Sequence, residues 1–397
     1  MAIPTLAMIP SGYKAGKLYS VLPSDGTGDF TVARNSVATR VNQSGLIEEV
    51  GVNVPRLDYS AGGCPVLLTE IQSQNLITYS EDFTQWATFN ATITPNSSIS
   101  PDGTLNASLF SHSGGSFPQV SLSGITFVSG SDYIPSLYVK SDGTSQVQHS
   151  LLVNNVVVNF TPTDKWVRIS DLIVSPDTSG SFVIAQNSGS AVAASFYIWG
   201  AQLEEQPAAT SYIKTTGTAQ TREADSVNGA GSAATFNSLE HTFFVDLNSM
   251  FESGNLSAIS IVGSTGTITD NRILIRKETN NTQILINIRS GGQSVAGETL
   301  SNIDFSVRQK LAITIKLNEI KYYLNGFLVA TDTGTIPLPV SLGEVTLTSG
   351  ATSFHKLAAS TKDIRYYNQV LTAAETLELM SYDSFNEMAS ALQYTIK

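Results

Sequence analysis

The sequence predicts an all-β protein with two tandem β-sandwiches, an irregular N-terminal segment and short C-terminal helices. Only 14% of the 397 residues are charged, and Ser, Thr, Asn and Gly take their place on the expected surface. β-Branched and aromatic residues recur in short alternating runs, which indicates strands. Turn signals such as SDGT and TPTD separate these runs about every ten residues, a spacing typical of sandwiches and jelly rolls.

Residues 1–72 are predicted to form an N-terminal attachment or oligomerisation segment. Its apolar pieces are short, are interrupted by Gly and Pro, and alternate only around Val50, Val52 and Val54. Such pieces need a covering surface, which either another chain or the next domain can supply. The stretch from Asp25 to Asp29 is interpreted as a tight turn in preference to a cation site.

Residues 73–215 are predicted to form the first sandwich, and residues 216–234 a linker. The strand candidates are SLYVKS, QHSLLVNNVVVNF, KWVRISDLIV, SFVIAQ and SFYIWGAQLE. After the last of these the chain becomes rich in Thr, Gly and Ala, which suits an extended connector that has little to bury.

Residues 235–397 are predicted to form the second sandwich with its C-terminal helices. Alternating runs such as HTFFVDLNS, NRILIRKE and TQILINIRS indicate its strands. Asn325-Gly326 lies between two apolar runs and predicts a two-residue hairpin, because both residues accept positive φ. Thr372 with Glu375, and Ser384 with Glu387, have capping-box spacing and predict two short helices.

The overall composition argues against several classes of partner and binding site. The net charge is −11 and no basic cluster is present, so nucleic acid is not an expected partner. Cys64 is the single cysteine, which excludes an internal disulfide and a Cys-based zinc site. The four histidines are scattered, so only the fold could assemble a His-ligated metal site or a triad. The N-terminus does not read as a signal peptide, and no apolar run has the roughly 20 residues that span a bilayer, so we expect a soluble protein made in a reducing cytoplasm, with no membrane insertion.

Five stretches resemble parts of bacteriophage virion proteins. NLITYSEDFTQW at 75–86 and FYIWGAQLEEQPAATSYIKTTGTAQTREAD at 196–225 resemble the two ends of a carbohydrate-binding-module-like sandwich found in tail fibres and other appendages. The stretch at 38–80 is similar to the one that often precedes this sandwich. YYLNGFLVATD and KDIRYYNQVLTAAETLELM at 362–380 look like the end of a laminin-G or concanavalin-A-like domain. One departure is Lys214, where the family often has Pro.

The resemblance implies a fibre, spike or decoration protein on the surface of a virion assembled in the host cytoplasm. Such fibres are usually homotrimers, which would let neighbouring subunits or other virion proteins cover the N-terminal region. We therefore expect a non-enzymatic appendage that presents lectin-like sandwiches to host-surface polysaccharide. Two alternatives stay open: a purely structural head or tail decoration protein without glycan binding, and a polysaccharide depolymerase.

Glycan binding by such sandwiches rests on exposed aromatic rings that stack on sugar faces. The candidates are Trp86, Trp166, Trp199, Tyr322 and Tyr323. For each of them the alternative is packing in the core. Tyr322 and Tyr323 are adjacent on a strand and so face opposite ways, which leaves at most one of them for a given face.

Modules of this kind often hold a structural Ca²⁺ between an early loop and the closing strand. The carboxylates of Asp82, Asp102, Glu204 and Glu205 are the predicted ligands, because Ca²⁺ prefers oxygen donors. The alternative is that these carboxylates are simply solvated near turns, with no cofactor at all.

A catalytic site is not expected. One family with this sandwich carries a Glu-x-Asp-x-x-Glu pattern of paired carboxylates. Glu223 and Asp225 begin such a pattern, but Asn228 stands in place of the last Glu, and the stretch lies in the predicted linker. No Gly-x-Ser-x-Gly elbow and no P-loop is present in the sequence.

Overall fold

The computed structural model describes residues 2–144, 147–250, 256–263, 270–348, 355–382 and 387. The chain forms two compact units. Unit 1 comprises Met1–Ser36, Val50–Ile71 and Ala224–Lys397, and unit 2 comprises Val37–Glu49 and Gln72–Glu223. Unit 2 is thus inserted, in sequence, between segments of unit 1.

Strands make up nearly all of the regular structure. The first sixteen are β1 Leu6–Met8, β2 Tyr13–Lys14, β3 Lys17–Leu18, β4 Phe30–Ala33, β5 Ala38–Val41, β6 Ile47–Val50, β7 Arg56–Asp58, β8 Val66–Thr69, β9 Ser73–Asn75, β10 Ala87–Phe89, β11 Thr92–Ile99, β12 Leu105–Gly115, β13 Gln119–Thr126, β14 Asp132–Ser141, β15 His149–Val153 and β16 Val156–Phe160. The rest are β17 Val167–Ser170, β18 Ile173–Val174, β19 Ser179–Ala185, β20 Ala191–Glu204, β21 Gln220–Arg222, β22 Ser226–Asn228, β23 His241–Met250, β24 Ser257–Gly263, β25 Arg272–Lys277, β26 Gln283–Ser290, β27 Gln293–Ser301, β28 Gln309–Lys316, β29 Glu319–Leu324, β30 Phe327–Thr333, β31 Leu342–Thr346 and β32 Ala359–Tyr367. A 3₁₀ helix spans Phe83–Gln85, and the α-helix α1 spans Ala373–Ser381.

Unit 2 is a sandwich of two antiparallel sheets. One sheet has five strands in the order β10-β13-β19-β15-β16, and the other has six, β11-β12-β20-β14-β17 with β18 paired to β14. Alternate residues of both sheets, such as Phe110, Val139, Phe182 and Ile198, meet in one buried core. The closing strand β20 is the predicted FYIWGAQLE strand, and it lies at the centre of the six-stranded sheet.

Unit 1 is a larger sandwich. Its eight-stranded sheet has the order β30-β29-β28-β23-β32-β8-β7 with β1 paired to β32, and its five-stranded sheet has the order β27-β26-β25-β24-β31. Isoleucines such as Ile261, Ile275, Ile286 and Ile313 dominate the core of this unit. The predicted fold class, all-β with two β-sandwiches, is confirmed.

The local signals of the second sandwich are also borne out. Asn325 and Gly326 have φ of 48° and 86°, and Leu324 pairs directly with Phe327 across the two-residue turn. Thr372 caps α1 in a reciprocal capping box with Glu375. Ser384 and most of the second predicted helix lie outside the described residues, which include only Glu387 of its capping pair.

The predicted strand at 148–160 is two strands joined by a tight turn. β15 and β16 pair along their whole length, and Asn154 and Asn155 between them have φ of 47° and 68°. Asparagine tolerates this left-handed backbone better than other residues with a side chain. The Asn-Asn pair therefore acts as the Asn-Gly pair does in unit 1.

The two units of the structure have other boundaries than the domains that the sequence predicted. Most of the predicted attachment segment belongs to unit 1, where β1 pairs with β32 and β7 pairs with β8. Its apolar residues, among them Leu6, Met8 and Phe30, are buried in the core of that unit. The chain's own strands cover these pieces, so no neighbouring subunit is needed for that purpose.

The predicted linker at 216–234 also contains strands. β21 pairs with β9 inside unit 2, and β22 pairs with β4 inside unit 1, so the chain passes from one unit to the other between residues 223 and 224. Backbone pairing with distant strands explains how small polar residues become ordered here without a large buried surface. Among the described residues, no helix is both long and apolar enough to span a membrane.

Candidate functional site

The outer face of the six-stranded sheet in unit 2 carries the most informative cluster of side chains. Val139 and Ile198 point into the core, so their neighbours Tyr138, Lys140 and Tyr197 point away from it. Lys140 pairs directly with Tyr197 across β14 and β20. Lysine and tyrosine therefore stand side by side on an outward surface.

One hydrogen bond shows that this face is concave. β11 and β17 lie at opposite edges of the sheet, four strand spacings apart, which amounts to roughly 19 Å in a flat sheet. Nevertheless, Nε1 of Trp166, which immediately precedes β17, donates to the carbonyl oxygen of Ile99 in β11 at 3.0 Å. The register shifts of β11 beyond Thr94 allow its end to bend over the face.

Two adjoining depressions lie at this part of unit 2. The first, here called the cleft, has a volume of about 630 Å³ and is lined by Ser98, Lys140, Ser141, Asp142, Gly143, Thr144, Asp164 and Tyr197. The second, here called the open groove, has a volume of about 930 Å³ and shares Thr144 with the cleft. It is lined chiefly by Ser, Thr, Asn and Gly, together with His112. Both volumes are in the range of small-molecule sites.

The cleft holds one fixed carboxylate and two charged side chains for which no other described residue is a partner. Asp142 accepts hydrogen bonds from the Thr144 amide and hydroxyl at 2.9 and 2.7 Å and from the Ser195 hydroxyl. Burial opposes the effect, but these hydrogen bonds hold the pKa of Asp142 below its ordinary value. The side chains of Lys140, half-buried, and Asp164, exposed, make no hydrogen bond or ion pair within the described part of unit 2.

Most of the aromatic residues predicted to stack on sugars are buried. Trp86 is 4% exposed and packs on Phe83 and Phe182, and Trp199 is 1% exposed. In unit 1, Tyr322 is 0% and Tyr323 3% exposed. A buried ring cannot stack on a ligand from solvent, which overturns the prediction for these four residues.

Trp166 is the predicted aromatic residue that does lie at the site. It is half-buried and packs on the outer face against the cluster of Ala107, Trp199 and Tyr212. The sequence analysis missed Lys140, Tyr197 and Asp142. The alternation of SLYVKS and FYIWG already places Tyr138 with Lys140, and Tyr197 with Trp199, on common faces, but it does not say that these faces adjoin.

The predicted calcium ligands are not gathered around one point. Asp82 caps the 3₁₀ helix, and Asp102 accepts from Ser100, Thr104 and Asn106. Glu204 is fully buried and accepts from Ser73, Gln206 and Thr210, while Glu205 is exposed. Within the described ranges, no group of three or more His, Cys, Asp or Glu side chains could hold a metal ion. The carboxylates with hydrogen-bond partners stabilise loops of the sandwich.

The paired-carboxylate pattern has a structural role at Asp225. Its carboxylate is 4% exposed, lies 2.9 Å from Nη1 of Arg34 and also binds Arg56. The backbone N–H of Glu70 donates to it as well, at 2.9 Å. Asn228 binds Ser226 and Thr346 through its amide. A buried carboxylate held by two arginines is not placed to attack or protonate a glycosidic bond.

Comparison with known proteins does not assign the chain to a family. No protein-family model matches it, and no curated protein matches it. Among solved structures, it is similar to the CBM40 of the Ruminococcus gnavus IT-sialidase bound to alpha2,3 sialyllactose, with 17% identity over 39% of this chain and 94% of that chain and a TM-score of 0.33. It is also similar to a Bacillus licheniformis beta-glucanase, with 16% identity, 37% and 72% coverage and a TM-score of 0.28. A SAP-like pentraxin from Limulus polyphemus shows 10% identity, 37% and 71% coverage and a TM-score of 0.29.

Proposed function

We propose that unit 2 binds a neutral, polyhydroxylated carbohydrate in the cleft. The observation that carries this proposal is a pair of charged side chains, Lys140 and Asp164, that no described residue binds and that lie in a concave surface beside the ring of Tyr197. Trp166 packs at the margin of the same face. An aromatic ring next to groups that donate and accept hydrogen bonds matches a sugar, which has an apolar face and a rim of hydroxyls.

The chemistry of the lining favours a neutral ligand. Lys140 donates hydrogen bonds, Asp142 and Asp164 accept them, and the hydroxyls of Ser98 and Thr144 do both. Sugar hydroxyls also do both, so each can meet either kind of partner. One ammonium beside two carboxylates gives no net attraction for a strongly acidic ligand and only a weak attraction for a basic one.

The proposal is tested by measuring polysaccharide binding with purified protein. We expect a neutral polysaccharide to co-elute with the protein in size-exclusion chromatography, and Lys140→Ala to weaken the association roughly 10- to 100-fold, because a hydrogen bond to a charged group is removed. Lys165→Ala is the matched control, since Lys165 is exposed and lies outside the lining of the cleft. Tyr197→Ala is expected to weaken binding without unfolding the protein.

The outcomes separate the alternative functions. Binding at unchanged polymer length that is weakened in Lys140→Ala and kept in Lys165→Ala supports the proposal. Shortened polymer would point to a depolymerase. No association with neutral or acidic polysaccharide would favour a purely structural role for the sandwich.

We also propose, from the resemblance of residues 75–86 and 196–225, that the protein is a non-enzymatic virion appendage of a bacteriophage. In this proposal it joins other virion proteins through its N-terminal region, forms a homotrimer and presents unit 2 to host-surface glycans. Light scattering on the purified full chain tests the trimer, and immunogold labelling of purified virions tests the location. A monomer in solution, or virions without label, would contradict the corresponding part.

A further inference from the structure

The sandwich of unit 2 brings two distant histidines together. His112 lies on β12 of the six-stranded sheet, and His149 lies on β15 of the five-stranded sheet. Their Nε2 atoms are 3.3 Å apart although 37 positions separate them in the sequence. The rings are 8% and 1% exposed. The packing of the two sheets against each other therefore brings together a histidine pair that the spacing in the sequence does not predict.

The separation of the two nitrogens fits two ligands of a single metal ion. Imidazole nitrogen binds Zn²⁺ at about 2.0–2.1 Å, and at a tetrahedral angle two such nitrogens lie about 3.3 Å apart. The observed Nε2–Nε2 distance equals this value. The two rings stand at 62° to each other, so a turn of the His112 ring about its Cβ–Cγ bond is needed for both lone pairs to converge on one point.

The remote nitrogen of His149 is held as metal-binding histidines usually are. Nδ1 of His149 lies 2.8 Å from the carbonyl oxygen of Val147, so Nδ1 carries the proton and Nε2 keeps its lone pair. A carbonyl partner on the remote nitrogen fixes both the tautomer and the ring orientation of a ligand. The phenyl rings of Phe110, Phe160 and Phe196 pack around His149 and limit its movement.

His112 has the opposite tautomer when no metal is bound. The backbone N–H of Gly114 donates to its Nδ1 at 3.3 Å, so His112 carries its proton on Nε2 and donates it to His149. Metal binding at Nε2 moves this proton to Nδ1, and the contact with Gly114 is lost. The new Nδ1–H cannot face the Gly114 N–H, since both groups are donors, so it requires water from the open groove as its acceptor, and this requirement opposes metal binding.

His112 also provides a route from solvent. It is among the residues that line the open groove, next to Ser111 and Ser113 on the same strand. An ion can therefore reach the pair without opening the core. The remaining coordination positions are left to water, because the described part of unit 2 brings no third His, Cys, Asp or Glu to the pair.

We propose that His112 and His149 form a two-histidine binding site for a divalent transition metal ion of the class of Zn²⁺, Ni²⁺ and Cu²⁺, which links the two sheets of unit 2. These ions accept imidazole ligands readily, whereas Ca²⁺ and Mg²⁺ require oxygen ligands and are not expected to bind. The site is independent of the carbohydrate proposal, since the cleft is lined by other residues.

The test uses the untagged full chain after treatment with a chelator. Equilibrium dialysis against Zn²⁺ or Ni²⁺ is expected to give one ion per chain that depends on the pair. Trp86, Trp166 and Trp199 are the only tryptophans and all lie in unit 2, so tryptophan fluorescence follows the unfolding of that unit. Above the Kd, each tenfold increase in the metal concentration is expected to raise Tm by about 3–6 °C. Ca²⁺ at the same concentration should have no effect.

Variants and spectra identify the ligands. His112→Gln should abolish the site and keep the fold, because residue 112 lines the open groove, whereas His355→Gln in unit 1 should leave binding unchanged. In the wild-type protein, the ¹⁵N resonances of both Nε2 atoms should shift on addition of Zn²⁺, a readout that needs no variant. The proposal is overturned if millimolar Zn²⁺ and Ni²⁺ both leave Tm unchanged, or if folded His112→Gln still binds the ion.

Discussion

Replacing Asp225 with alanine is expected to destabilise unit 1 by about 3–5 kcal/mol. Asp225 binds both Arg34 and Arg56, which are 1% and 0% exposed. Removing one member of a buried ion-pair network leaves its partners charged in a medium that solvates them poorly, and this loss is of the order of 3–5 kcal/mol. The variant tests directly whether the residue is structural.

The contacts indicate where within this range the effect should fall. Arg56 also pairs with Glu70, so it keeps one carboxylate. Among the described residues, Arg34 then keeps the backbone carbonyls of Ser36, Gly51 and Val54 as its partners. Burial lowers the pKa of Arg34 and Asp225 raises it, so the loss of the carboxylate leaves burial less opposed. The backbone N–H of Glu70 also loses its acceptor, for about 1 kcal/mol more, which places the expected loss in the upper half of the range.

Urea unfolding followed by two probes measures this loss. Far-UV circular dichroism reports strands of both units, whereas tryptophan fluorescence reports unit 2 alone. We expect the circular-dichroism transition of unit 1 to move to lower urea in Asp225→Ala. Glu240→Ala, which removes an exposed carboxylate of the same unit, is the matched control and should stay within about 0.5 kcal/mol of wild type.

A loss of less than about 1 kcal/mol in Asp225→Ala would refute the reasoning, because it would mean that Arg34 and Arg56 reach water or other partners. A variant that folds with full stability but loses a polysaccharide-cleaving activity would instead restore a catalytic role. Asp225→Asn, which keeps the shape and an acceptor oxygen, should lose less stability than Asp225→Ala.

Three further predictions concern local features. Desolvation lowers the pKa of fully buried His241 to about 4, so its contribution to the free energy of unfolding is complete above pH 6.5, and about 3 kcal/mol is lost as the pH falls from 6.5 toward 4. Urea unfolding at a series of pH values should show a smaller loss of stability at acid pH in His241→Gln, and an unchanged loss would contradict the assignment. Gly326→Ala should lower the stability of unit 1 by about 1–2 kcal/mol because φ is 86°; no atom lies close to the added Cβ, so the cost comes from the backbone alone. Chemical denaturation can measure this loss, and its absence would show that the turn relaxes. Thr372→Ala removes the N-cap of α1 and should lose about 1 kcal/mol, whereas Thr372→Ser should lose little, and equal losses in both would argue against the capping box.

Part of the proposed carbohydrate site could be read from the sequence and part could not. Trp166 was a candidate because aromatic residues bind sugars, and it does lie on the outer face. Trp86, Tyr322 and Tyr323 were equally good candidates and are buried. An aromatic ring can pack in a core or stack on a sugar, and which of the two it does depends on whether the folded chain covers it. Lys140 and Asp164 became candidates only when the structure placed both in the cleft with no side-chain partner among the residues it describes.

The N-terminal region shows the same limit at the level of the fold. The short apolar pieces of residues 1–72 indicated that this segment requires another surface to cover its apolar residues, and the structure shows that these residues are covered. The partner is the distant end of the same chain, since Leu6 pairs with Tyr366. Alternation tells which residues require burial, but it does not tell which strand of the chain covers them.

The sequence by itself determined what depends on near neighbours along the chain: the all-β class, the Asn325-Gly326 hairpin and the cap of α1 at Thr372. Backbone conformation at these points is set by a few adjacent residues, so their identity is enough. Only the tertiary structure decided the division into two units, the concave face around Lys140, and the approach of His112 to His149. Each of these depends on contacts between residues far apart in sequence, and their specificity arises from the register and packing of whole sheets.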